Sequence, residues 1–89
     1  MSFFLVDSEG FVSDISTAKG WSDVSNALKK LRNTPLSSFL ATGETTKPDV
    51  VASEINQVLP FIDDKSIVKT LTNLQAGLKK CKDIAIISQ

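Results

Sequence analysis

Residues 3–15 read FFLVDSEGFVSDI, and the architecture of the rest of the chain follows from them. Residues 7–10 (DSEG) have the composition of a turn, because an acid comes first and the final glycine supplies a positive φ or a bulge. An apolar run precedes this turn, and the run after it alternates, with Phe11, Ser13 and Ile15 on one face. Two strand-like runs around a short glycine-containing loop predict a β-hairpin.

Three amphipathic helices are predicted between this hairpin and a final strand at residues 84–87 (IAII). Helix one begins at Ser22, helix two follows a capping box that starts at Thr46, and helix three begins after the N-cap Asp63. Each helix then carries apolar residues at steps of three and four, as one face of a helix requires. These positions are Val24, Ala27, Leu28 and Leu31, then Val51, Ile55, Val58 and Ile62, and last Ile67, Leu71, Leu74, Leu78 and Cys81.

This order of elements predicts an α+β fold, a small sheet of about three strands with three helices packed on one face. The 89 residues are enough for a single domain, residues 1–89. Between helices one and two, residues 36–40 are compatible with a helical turn and residues 41–47 are typical of a loop. Gly77 costs helix three about 1 kcal/mol relative to alanine, which predicts close packing of another backbone there.

The two terminal strands lead to the functional hypothesis, because residues 3–6 and 84–87 are apolar on both faces. Three short helices cover only one face of a small sheet. Leaving the other face bare would forgo about 1.5–3 kcal/mol for each large apolar side chain. We therefore expect Phe4, Val6 and Ile87 to form an interaction surface in a homodimer or with another protein. The alternative is that the helices wrap the sheet or that these strands are buried internally.

Trp21 has two interpretations, since tryptophan is favoured in binding hot spots and is also the largest residue available to a small core. We favour the core for Trp21 and keep the interaction hot spot as the alternative. Residues 37–47 are a weaker candidate for partner contacts.

Two basic clusters suggest an alternative function, a nucleic-acid accessory protein. Both are predicted at helix C-termini, where cations complement the helix dipole and stay solvated. Ten basic residues balance ten acidic ones, and this neutral balance argues against nucleic-acid binding. The clusters are Lys29, Lys30 and Arg32, and Lys79, Lys80 and Lys82.

Enzymatic chemistry has little support in the sequence, and we expect no cofactor, metal or catalytic residue. The chain has no histidine, which excludes Ser/His and Cys/His dyads and histidine-ligated metal sites. The single Cys81 follows the apolar rhythm of helix three and is expected in the core rather than in redox chemistry. The N-terminal apolar run stops at Asp7, too short for a signal sequence or membrane span, so we expect a cytoplasmic protein.

Overall fold

One four-stranded antiparallel sheet with helices makes up the fold in the computed structural model, which describes residues 2–81 and 83–88. The α+β class is confirmed, but the predicted counts of strands and helices were each one too low. The strands are β1 (Ser2–Asp7), β2 (Val12–Thr17), β3 (Glu44–Thr45) and β4 (Ala85–Ser88). The helices are α1 (Ala18–Ala27), α2 (Pro35–Thr42), α3 (Pro48–Val58) and α4 (Lys65–Lys80), with a 3₁₀ turn (Leu59–Phe61) after α3.

The predicted hairpin joins β1 and β2, which pair antiparallel. Gly10 has a φ of +88°, the positive value that the turn composition predicted. The Asp7 carboxylate accepts hydrogen bonds from the backbone N–H groups of Glu9 at 3.0 Å and Phe11 at 2.9 Å. The carboxylate of the acid that begins this turn therefore stabilises the turn conformation through backbone hydrogen bonds.

The sheet has the strand order β2-β1-β4-β3, so the first and last strands are its centre. Leu5 of β1 stands opposite Ser13 of β2 and Ile87 of β4. Residues directly opposite each other in antiparallel strands point to the same face. Since Leu5 is completely buried, this row belongs to the face that packs against the helices.

The core lies between that face and the helices, and α4 contributes most to it. Leu71, Leu74 and Leu78 of α4 are fully buried, which confirms the predicted apolar rhythm of helix three. An aromatic chain joins β1, α1 and α2, because the Trp21 ring lies 6.0 Å from that of Phe3 and 6.1 Å from that of Phe39. These rings close the core at one end of the sheet.

Helix α1 begins and ends earlier than predicted. Its N-cap is Thr17, whose hydroxyl accepts a hydrogen bond from the Gly20 N–H at 3.1 Å, and the predicted start at Ser22 was wrong. The helix ends at Ala27, so the basic residues expected in its last turn follow the helix instead.

Residues 34–45 hold the two elements that the prediction did not count. Thr34 and Ser37 form a reciprocal capping box at the start of α2, and Pro35 occupies the first helical position. Gly43 ends α2 with a left-handed φ of +77°, and its C=O accepts a hydrogen bond from the Ile87 N–H at 2.7 Å. The segment predicted as a helical turn and a loop is thus a capped helix tied to the sheet.

The predicted starts of the next two helices were also inaccurate. No side chain caps α3, whose N-cap is Lys47, so the capping box expected from Thr46 does not form. The N-cap of α4 is Asp64 rather than Asp63, and its carboxylate accepts hydrogen bonds from two N–H groups of the first turn. The last residue of α4 is Lys80, so Cys81, the last apolar position predicted for helix three, follows the helix as its C-cap.

Candidate interaction surface

A row of three apolar side chains crosses the sheet face opposite the helices, which we call the open face. Val6 of β1 stands opposite Val12 of β2 and Ile86 of β4. Val12 is 60% exposed and Ile86 is 36% exposed, whereas Val6, between them, is half-buried. The core residues Leu5 and Ala85, immediately next to this row, are completely buried on the other face. The sheet is therefore covered on one side by the described helices and apolar on its uncovered side.

Phe4 extends this apolar row into a patch. It stands opposite Asp14 of β2 and Ser88 of β4 on the open face and is half-buried. Glu44 of β3 stands opposite Ile86, so an acidic residue ends the row of Val12, Val6 and Ile86. The open face thus consists of four apolar side chains with Asp14 and Glu44 at its margin.

Two of the three residues expected on this face are there, and the placement of Ile87 was wrong. Phe4 and Val6 lie on the open face, but Ile87 shares the face of buried Leu5 and packs against the core. Ile86 takes its place. The terminal strands are apolar at successive positions, so side-chain alternation gave no signal for which residues face outward.

Trp21 lies inside α1 and packs against the core, half-buried between two aromatic rings. This position agrees with the favoured interpretation of Trp21 as a core residue. Residues 37–47, the weaker candidate for partner contacts, belong mostly to α2 and β3.

The two basic clusters line different grooves. Lys29 and Arg32 border a groove against α2, whereas Lys79 borders one against α3 that also contains Asp49. Lys79 and Lys80 occupy the last turn of α4, as predicted, while Lys29, Lys30 and Arg32 follow the end of α1. Lys82 lies outside the described residues. The described cations that line grooves therefore line separate ones, and nucleic-acid binding through the two clusters stays a prediction.

Cys81 has the environment of a core thiol. It is 8% exposed, and its Sγ donates to the C=O of Gly77 at 3.4 Å. Burial raises the pKa of this thiol, and the negative charges of Asp7 and Asp83 raise it further. A raised pKa leaves less thiolate at neutral pH, so the lysines near Cys81 in sequence do not activate it.

Sequence reasoning missed four exposed apolar residues, of which Val50 lies on α3. Val12 and Ile86 belong to the open face, and their exposure depends on sheet register, which no local pattern specifies. Phe61, 84% exposed, stands in the 3₁₀ turn between α3 and α4. Its neighbour Pro60 marks the turn, but nothing in the sequence indicates that the ring points into solvent.

Comparison with known proteins found no matching family model, no similar curated protein and no similar solved structure. Within residues 2–81 and 83–88, no three His, Cys, Asp or Glu side chains are grouped as metal ligands would be. No helix of that part of the chain is long and apolar enough to cross a membrane.

Proposed function

We propose that this protein is a small interaction module that associates with a second copy of itself through the open face. The supporting observation is the row of Val12, Val6 and Ile86, in which Val12 and Ile86 are exposed and Val6 is half-buried, while Leu5 and Ala85 next to it are completely buried on the other face. Two such faces pack naturally about 10 Å apart with their side chains interleaved, as in a β-sandwich. A two-fold axis then places the same patch on both sides of the interface.

The size of the open face sets the expected strength of this association. Strands about 4.8 Å apart and about 3.3 Å long per residue give this sheet a face of roughly 20 by 20 Å, or about 400 Å². A standard stable interface buries about 800 Å² on each partner. We therefore expect a weak dimer that dissociates in the micromolar to millimolar range and responds to local concentration.

The margin of the open face affects how association responds to salt. Asp14 and Glu44 carry like charges on both copies, so their repulsion opposes a dimer at low ionic strength. Salt screens such charges, with a Debye length of about 10 Å at 0.1 M. We expect the dimer to strengthen as salt rises, whereas nucleic-acid binding through the lysine clusters would weaken steeply.

The central test compares two substitutions, one of an apolar residue on the open face and one of an exposed apolar residue away from it. Val12→Asp should abolish dimerisation without unfolding the protein, because the side chain is already largely in solvent. Phe61→Asp is the matched control, since it removes a larger exposed apolar group from the 3₁₀ turn. Light scattering or sedimentation across a dilution series measures the mass, and circular dichroism confirms the fold.

Three results of this test would contradict the proposal. They are a wild-type protein that stays monomeric at millimolar concentration, a dimer that survives Val12→Asp, and equal losses in both variants. Ile87→Asp provides a contrast of another kind, because it places a charge on the helix side and should unfold the monomer rather than dissociate a dimer.

A further inference from the structure

A polar cleft lies where the end of β2, the start of α1 and the first half of α4 meet, and Asp14 at the margin of the open face borders it. Its volume is ≈ 450 Å³, within the range of small-molecule sites. One wall is a single face of α4, where polar residues recur at steps of three and four. These wall residues are Ser66, Lys69, Thr70 and Asn73.

Thr70 is the unusual member of this wall. It is 7% exposed and is the one buried polar side chain among the described residues, yet its hydroxyl has no hydrogen-bond partner there. Thr72, two residues later, donates its hydroxyl to the Val68 C=O at 2.8 Å, the usual arrangement within a helix. No fully buried side-chain polar atom of the described chain lacks a partner, so the Thr70 hydroxyl must reach solvent. Thr70 lines the cleft, which is where its hydroxyl can reach solvent.

The start of α1 lies at the edge of the same cleft, which Thr17 and Gly20 line. Thr17 caps only the Gly20 N–H, so the N–H groups of Ala18 and Lys19 have no acceptor within the helix. The first turn of α1 contains no acidic residue, and its positive dipole end is left uncompensated. Gly20 borders the cleft, which brings this helix end to the wall that holds Thr70.

The charges around the cleft favour an anion but limit its affinity. Lys69 contributes an ammonium group on the α4 wall, and Asp14, whose pairing with Phe4 places its side chain on the open face, borders the cleft from β2. Every other polar group named on the α4 wall can donate a hydrogen bond. A negatively charged oxygen ligand thus meets donors on two sides and repulsion from Asp14 on one.

We propose that this cleft binds a small oxyanion, either inorganic phosphate or the phosphoryl group of a small phosphomonoester. The α1 N-terminus and Lys69 supply the positive field, and the buried Thr70 hydroxyl supplies a directed hydrogen bond. The groups that would hold the oxyanion, Lys69 and Thr70, lie on α4 and not on the open face, and Asp14 is the residue that borders both.

The test follows backbone amide shifts by NMR while the ¹⁵N-labelled protein is titrated with inorganic phosphate and, separately, with glycerol phosphate. Saturable shifts at residues 18–20 and 66–70 are expected, and the tighter of the two probes identifies the source of the oxyanion. Thr70→Val keeps the shape of a buried side chain and should weaken binding about tenfold. Thr72→Val is the matched control and should leave the affinity unchanged.

Two further variants probe the charges and the fold independently. Lys69→Gln should weaken binding by about tenfold, and Asp14→Asn should strengthen it several-fold by removing the repulsion. Thr70→Val should also melt no lower than the wild type in phosphate-free buffer, because it removes an unpaired buried hydroxyl. Phosphate should then raise the melting temperature of the wild type and not that of Thr70→Val.

The proposal would be overturned by an absence of saturable shifts, or by shifts that sodium chloride reproduces at equal ionic strength. It would equally be overturned if Thr70→Val and Thr72→Val bound phosphate alike, or if Asp14→Asn bound it more weakly than the wild type.

Discussion

A single hydroxyl ties the hairpin turn to the segment that enters β4. Ser8 Oγ donates to Asp83 Oδ1 at 2.6 Å, and the Ile84 N–H donates to the same oxygen at 2.7 Å. These hydrogen bonds, that from Ser8 first, favour the ionised carboxylate and hold the pKa of Asp83 below its usual value. A lowered pKa stabilises the fold above the pKa of the unfolded chain, and this contribution disappears as pH falls through the folded pKa.

Ser8→Ala should therefore raise the pKa of Asp83 toward its ordinary value without reaching it, because the Ile84 N–H remains. An NMR titration of the side-chain carboxyl measures this shift. Ser53→Ala, at an exposed serine of α3, is the control and should leave the pKa unchanged. A pKa unaffected by Ser8→Ala would mean that the hydroxyl bond is not maintained in solution.

Individual residues also show where a sequence becomes ambiguous. The acid of the hairpin turn and the positive φ of Gly10 were predictable because turn chemistry is local. The choice between Ile86 and Ile87 for the open face was not, because both are isoleucines in an apolar strand. A pairing between distant strands decides it. The same holds for Thr70 and Thr72, whose different surroundings depend on which face of α4 meets the sheet.

At the scale of elements, α4 is the helix that the sequence predicted best, because its apolar positions repeat over four turns. Helix α2 was reduced to a turn because its eight residues are too few for that repeat to register. Its capping box at Thr34 and Ser37 uses serine where the usual signature has Glu or Gln, so the start signal was missed. The observed starts of the other helices differ from the predicted ones because several adjacent residues were each able to act as the N-cap.

Gly77 is the place where α4 and the hairpin come closest. A Cβ built there would lie 2.9 Å from Leu5 Cδ2 and 3.4 Å from Ser13 Oγ. The close approach predicted from this glycine is real, but the neighbours are side chains of the sheet rather than another backbone. Glycine at this position lets the helix lie directly on β1 and β2.

Gly77→Ala should lower the free energy of unfolding by about 1 kcal/mol, even though alanine favours a helix by a similar amount. The loss arises because Leu5 is completely buried and its methyl group has little room to move. Adding Leu5→Val removes the obstructing Cδ2, so the double variant should be more stable than the sum of the single changes predicts. Chemical denaturation measures all three, and strict additivity would contradict this account of the contact.

At the scale of the whole molecule, the α+β class followed from the order of hydrophobic patterns, which are properties of short segments. The strand order could not be predicted from such segments, because β1 pairs with β4 at the other end of the chain. The apolar character of both strands predicted that one sheet face needs a cover. The identity of the side chains on that face could be determined only from the register of the strands. The functional proposal thus keeps Phe4 and Val6 from the sequence and takes Val12 and Ile86 from the structure.

The central pairing of β1 with β4 has a consequence for the speed of folding. Phe4 meets Ser88, so forming the middle of the sheet requires closure of a loop that spans almost all the other elements. A circular permutant that links Ser88 to Ser2 and opens the chain between Lys29 and Lys30 turns this pairing into a local hairpin. The loop-closure cost then falls by roughly 2–3 kcal/mol.

The permutant should refold at least about tenfold faster in stopped-flow mixing while its unfolding rate stays nearly constant. An unchanged refolding rate would place the meeting of the two central strands after the rate-limiting step. If the permutant does refold faster, then in the natural chain the β1–β2 hairpin stays exposed until β4, at the other end of the chain, pairs with it. During folding, the hairpin therefore exposes apolar side chains on both of its faces: those of the open face and those that later pack against the helices.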